Sequence, residues 1–194
     1  MMDEMRRQQA YVADNCEMPH AQQLAAKKLC WQMNQLPPDA SAERRAIVKE
    51  LFGESTDLTF VEANFHCDYG FNIRCKGLAV INYNCSFLDT SPITIGNGAF
   101  IAPGVVLACA GHALAADQRR SGLGTSAPIT LEDDVWLGAN VTVMAGVTIG
   151  AGSVVGAGSV VTRSVPAGVV AVGNPCRVLR KVTAADRVTP TYAP

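Results

Sequence analysis

At 194 residues the chain has room for one sizeable core, or one repeat domain with a small appendage, and two large globular domains would be a tight fit. Its 16 Lys and Arg nearly balance 17 Asp and Glu, so a formal charge of −1 offers no field for a polyanion and no nucleic-acid partner is expected. The seven cysteines form no CxxC pair, which argues against a redox or zinc motif and for reduced core thiols in a cytoplasmic protein.

The opening stretch "MMDEMRRQQAYVADNCEM" has no apolar h-region after its charges, and no membrane partner is expected anywhere along the chain. Residues 1–55 read as an N-terminal helical segment. In "AQQLAAKKLCWQMNQL" the residues Ala25, Leu29, Met33 and Leu36 complete an apolar stripe at helical spacing, and Pro37 and Pro38 stop it. "SAERRAIVKELFG" restarts with Ser41 as the expected N-cap, a face of Ile47, Val48, Leu51 and Phe52, and Gly53 at its end.

Beyond residue 75 the chain repeats every six residues. Ile, Leu or Val stands at 95, 101, 107, 131, 137, 143, 149, 155 and 161, and the fifth position of each unit is Ala, Val, Gly or Ser. A period of six suits neither a helix nor a flat two-faced strand. It suits a coil of parallel strands: one strand and one corner per hexad, the aliphatic residue inside, three hexads per triangular turn. The predicted fold is therefore an all-β solenoid over residues 56–182, followed by a tail at 183–194.

Between Leu107 and Leu131 the register would bury Arg119 and Thr125, so a protruding loop is expected over residues 113–128. His112 stands where scaffold meets loop. A neutral imidazole there could serve as a general base; on the residues alone a lone histidine more often has a structural or surface role. Zinc on such a scaffold needs several imidazoles, and the remaining histidines are His20 and His66, so no metal is expected.

The segments "YVADNCE", "FHCDYGFNI", "INYNCSFLD", "ITIGNGAFIAPGV", "GHALAADQR", the hexads from Pro128 to Thr162, and "GNPCRVLRKV" together resemble the maltose and galactoside O-acetyltransferases, relatives of the nodulation-factor acetyltransferases. The resemblance spans roughly Tyr11 to Val182. It implies a left-handed parallel β-helix, a hand that the period itself does not specify. It also implies acetyl-CoA as cosubstrate, a small hydroxyl acceptor such as a sugar, and a homotrimer whose sites lie between subunits. By the same resemblance His112 is the catalytic base, Asp14, Asp68 and Asn82 meet the acceptor, and Ala139, Ala157, Thr162, Arg163, Arg177 and Arg180 meet CoA.

Each of these residues also has a plainer reading: a helix-terminal cap for Asp14, a turn for Asp68, a coil corner for Asn82, a solvated basic tail for Arg177 and Arg180. Asp89 reads as a structural group. Val80 stands where relatives commonly carry an aromatic residue, and the loop lacks their second histidine or proline; both departures bear on the acceptor. A non-sugar acceptor such as an amine or an antibiotic is the alternative within the fold. A non-catalytic scaffold would leave His112 and the loop without a purpose.

Overall fold

Six-residue spacing becomes one short strand per hexad, and the strands of successive coils stack in parallel with the aliphatic rungs in register. The structure, a computed structural model, describes residues 1–191. On the first face Cys75, Ile95, Leu131 and Ile149 lie one above another. On the second the ladder is Ile81, Ile101, Leu137, Val155 and Ala171, and on the third Phe87, Leu107, Val143 and Val161. All of them are buried, and the second face carries six parallel strands, which makes a three-sided solenoid of about six turns.

The corners explain the glycines and asparagines. Where the second face turns into the third, Asn64, Asn84, Gly104, Asn140 and Gly158 stack with φ between 57° and 74°, the left-handed region that Gly and Asn tolerate best. Gly138 answers a different demand: a Cβ there would lie 2.6 Å from the backbone nitrogen of Ala157 in the next coil.

The open end of the prism is closed by helices. Helix α1 spans Met2–Arg6, α2 His20–Asn34 and α3 Ser41–Leu51. Met33, Val48, Leu51 and Phe52 join the solenoid core around Phe65, whose ring meets Phe52 and, edge-on, Phe87 at 5.6 and 5.1 Å. The Asn34 side chain fixes the dock by donating to Phe65 O (2.9 Å) and accepting from Phe65 N (3.1 Å). At the far end Arg177–Lys181 pairs antiparallel with Val169–Val172 and covers the sheet edge.

Three expectations change. Tyr11–Asp14 is a strand, not part of a helix, because it pairs antiparallel with Leu123–Ser126 more than a hundred residues away. Ser41 is the first helical residue rather than the N-cap, a position that falls to Ala40 with no side-chain hydrogen bond. All seven cysteines are free, and six are buried, but Cys16 is exposed on the short 3-10 helix Asn15–Glu17.

The interruption of the repeat is a hairpin. Ala110–His112 pairs with Leu123–Ser126, which is the middle strand of a three-stranded antiparallel sheet completed by Tyr11–Asp14. Helix α4, Ala116–Arg120, forms the tip. Arg119 and Thr125, the residues that a continuous register would have buried, are exposed.

Candidate active site

The hairpin leaves the prism at the corner between the third and first faces, and His112 ends its first strand, facing Gly124 across the pair. The ring is exposed, with Nδ1 3.3 Å from Asn15 Nδ2. It lines a small cavity of about 60 Å³ together with Tyr11, Asn15, Thr90, Thr125 and Ser126. From the cavity wall inward runs a chain of hydroxyls: Thr90 Oγ1 and Ser126 Oγ are 2.6 Å apart, and Ser126 Oγ donates to Ser91 Oγ at 2.7 Å. The Tyr11 hydroxyl donates to Thr90 O at 2.7 Å, and burial raises its pKa above the usual value.

The residues expected to meet the acceptor lie around this corner and beyond it. Asp14 caps the 3-10 helix, its Oδ1 accepting from Cys16 N at 2.8 Å. Asp68 is half-buried in the first coil, 3.4 Å from Gln23 Nε2, and burial raises its pKa. Its backbone N–H and that of Tyr69 donate to Oδ1 of the fully buried Asp89 at 3.0 and 2.8 Å, while Asp89 Oδ2 has no hydrogen-bond partner among the described residues. Burial pushes the Asp89 carboxyl up to about 7. Asn82 sits apart, at the corner between the second and third faces, where Oδ1 accepts from Tyr83 N at 2.8 Å.

The residues expected to meet CoA divide in the same way. Ala139 and Ala157 stack at the Asn82 corner, linked by the Gly158 N–H donating to Ala139 O at 2.8 Å. Arg177, exposed, pairs in register with Val172, the residue that a Cβ on Gly156 would touch at 2.8 Å. Arg180 is already engaged, forking onto both oxygens of Asp186 at 2.7 and 2.8 Å. Thr162 and Arg163 lie exposed at the His112 corner, two coils beyond the hairpin. A single chain thus brings Ala139, Ala157 and Asn82 together, and His112 with Asp14 nearby, but keeps the two groups at opposite corners of the third face.

Sequence reasoning overlooked Tyr11, Asn15, Thr90 and Ser126. Their signal is a tertiary one, a β-pairing between distant segments that no local period announces. Among the described residues no three His, Cys, Asp or Glu side chains are placed to hold a metal ion, and no helix is long and apolar enough to cross a membrane.

Comparisons with known proteins agree with this architecture. The family described as "Bacterial transferase hexapeptide (six repeats)" matches residues 128–163, and the "Maltose acetyltransferase hexapeptide capping motif" matches residues 4–56. Galactoside O-acetyltransferase of Escherichia coli is 37% identical over 90% of this chain and 86% of its own length. The crystal structure of a maltose O-acetyltransferase from Clostridium difficile superposes with a TM-score of 0.82 at 40% identity, covering 86% of this chain and 89% of that one. A hexapeptide-repeat acetyltransferase of Vibrio cholerae complexed with acetyl-CoA gives 0.81 at 40% identity, over 84% and 88%. The chain therefore belongs to the maltose and galactoside O-acetyltransferase family of hexapeptide-repeat acyltransferases, and acetyl-CoA is its cosubstrate.

Proposed function

We propose that the chain acetylates a hydroxyl of a sugar or similar small polyhydroxy compound, with His112 as general base, at a site shared by two subunits of a cytoplasmic homotrimer. The observation that carries this reading is the position of His112: an accessible imidazole at the root of a hairpin, anchored to a stiff prism and rimmed by hydroxyls. Hydroxyl groups both donate and accept, so they suit an acceptor of the same chemistry. The similarity to galactoside and maltose O-acetyltransferases supports the same class of acceptor. Asp14, Asp68 and Asn82 supply further acceptor contacts, Asn82 through the NH₂ that its turn leaves available.

In this mechanism the acceptor hydroxyl gives its proton to the imidazole as its oxygen attacks the thioester carbonyl carbon. The carbon–sulfur bond breaks, and the imidazolium returns the proton to the departing thiolate, yielding CoA thiol and an acetyl ester. No acyl-enzyme is required, since direct attack and departure of the thiolate complete the transfer. Ala139 and Ala157 offer backbone groups to the pantetheine arm, while Thr162, Arg163, Arg177 and Arg180 meet the nucleotide phosphates, for which guanidinium forks are suited. Arg180 must release Asp186 to do so.

Two features support the shared site. A cavity of about 60 Å³ holds roughly two waters, too little for acceptor and thioester together. The outward side chains of the second face are apolar on all six turns, in register as Phe60, Val80, Phe100, Trp136, Val154 and Val170. Phe100 and Trp136 are 50% and 54% exposed in the single chain. Such a stripe is an interface composition, and a second copy covering it with its hairpin side would set its His112 beside the Ala139 and Ala157 corner, which borders this face. Six buried free thiols accord with a reducing compartment.

Thiol release from acetyl-CoA over a panel of sugars and amines tests the reading. His112→Ala lowers kcat by about 10²- to 10⁴-fold without altering the affinity for CoA. A wild-type rate in that variant excludes the base, turnover of amines alone excludes the hydroxyl acceptor, and a fully active monomer in light scattering excludes the shared site.

A further inference from the structure

Asn15 reaches the His112 ring from a segment 97 positions away. Its backbone N–H donates to Gly122 O at 2.8 Å, and its carboxamide lies flat against Gly124, so close that a Cβ there would overlap Oδ1 and stand 3.1 Å from Nδ2. The absence of a side chain at residue 124 is thus what lets the amide pass over the middle strand of the hairpin to the imidazole. Main chain and side chain of one residue are both spent on the hairpin, and the tip of that side chain ends at Nδ1.

In a neutral imidazole one ring nitrogen carries the proton and the other accepts, and the partner of one decides the state of the other. An amide N–H donated to Nδ1 occupies that lone pair and leaves the ring proton on Nε2. In that state neither nitrogen can take a proton from a hydroxyl. A half-turn of the carboxamide presents Oδ1 instead, which accepts from Nδ1–H and leaves Nε2 as the nitrogen with a free lone pair. The same oxygen then stabilises the imidazolium. The two ends of the amide are nearly equal in size, and bare backbone at Gly124 accommodates both.

We propose that Asn15 is the positioning residue of the reaction, selecting Nε2 of His112 as the base by accepting the Nδ1 proton, with Gly124 as the opening that admits it. The inference rests on the reading of His112 as general base. The titratable and charged groups on the elements packed around the ring are Tyr11, Asp14, Cys16 and Glu17 on the N-terminal segment, with Asp117, Arg119 and Arg120 on the hairpin tip. Arg119 Nη1 donates to the carbonyls of Ala113 and Leu114 at 2.9 and 3.0 Å, so its charge is held on the hairpin beside the ring's own strand.

Asn15→Asp, Asn15→Leu and Gly124→Ala test the assignment in the full-length protein. Asn15→Leu, of the same branched skeleton and without a polar tip, is expected to lower kcat about tenfold or more with the KM for acetyl-CoA unchanged. Asn15→Asp can only accept at Nδ1; it is expected to recover activity above the Leu variant and to move the acid limb of the kcat/KM profile up by about one pH unit. Gly124→Ala, which displaces the amide, should reproduce the Leu variant, and the double variant should be no worse than either single one. A ¹⁵N NMR titration of His112 reads the tautomer and midpoint directly, whether or not the ring is catalytic.

A wild-type tautomer, midpoint and pH profile in Asn15→Leu overturn the proposal, even where His112→Ala is inactive. Full activity in His112→Ala overturns the general-base reading first, and this proposal with it.

Discussion

The coils from Ile129 to Val172 and the hairpin from Ala110 to Ser126 are built on opposite terms. In the coils each buried rung is backed by an equivalent above and below, so register is specified many times over by side chains of one kind. In the hairpin each contact occurs once: one tyrosine hydroxyl on Thr90 O, one amide at His112, one pair of serine and threonine hydroxyls. Redundancy gives a frame that tolerates a loss anywhere without losing its shape; uniqueness gives a site in which each loss is felt by the chemistry. Changes in the coils should therefore register as stability or assembly, and changes in the hairpin as rate.

The hardest test of that division is on the apolar stripe. Replacing both Phe100 and Trp136 by Glu places charge in the proposed contact between subunits, and the expected result is a folded monomer with activity at background. Light scattering and thiol release read the two consequences together, and an assembled, active variant would dissociate the stripe from the site.

A rung deletion comes next. Leu137 is fully buried between Ile101 and Val155, and Leu137→Ala should cost about 2–5 kcal/mol and lower Tm by roughly 4–20 °C for a chain of this size. The rate per folded molecule should stay at wild type. A loss of kcat with Tm unchanged would show that the coil participates in more than support.

These two tests also mark how far the sequence reaches. All nine aliphatic positions of the repeat from Ile95 to Val161 are buried at the interior of the prism, because a period of six is a global constraint that each unit repeats. The hand of the coil is silent in that period and came only from resemblance. The strand at Tyr11–Asp14 carries no strand signal of its own because its partner is remote, and Asn15, Thr90 and Ser126 are silent for the same reason. Gly124 falls within the loop expected over residues 113–128, yet it is buried in a strand, under the Asn15 amide.

Asp89 lies between the two regimes, a coil residue whose carboxyl is buried near the corner that carries the hairpin. Its folded pKa of about 7 exceeds the ordinary value of 3.8, so the native chain holds this proton more tightly than the unfolded one. The stability it gives is fully present below about pH 4, is lost as pH rises toward 7, and is level above that. A shift of this size corresponds to about 4 kcal/mol across the window. Asp89→Asn should flatten most of that slope in denaturant titrations between pH 4.5 and 8, leaving the smaller contribution of Asp68, which burial shifts in the same direction. An unchanged slope would assign the pH dependence elsewhere.

The smallest effect is the most discriminating. Tyr11→Phe keeps the ring and removes only the hydroxyl that donates to Thr90 O at 2.7 Å, a bond worth about 1 kcal/mol. Because the N-terminal strand adds no rung to the prism, global unfolding should move by no more than a few degrees. Locally the same loss loosens the strand that carries Asn15 and frees the peptide behind the Thr90–Ser126 hydroxyl pair. The acceptor KM should rise several-fold while CoA affinity holds. If instead Tm falls as far as in Leu137→Ala, the N-terminal strand belongs to the frame, and the line between redundant coil and singular hairpin has to be drawn on the other side of Tyr11.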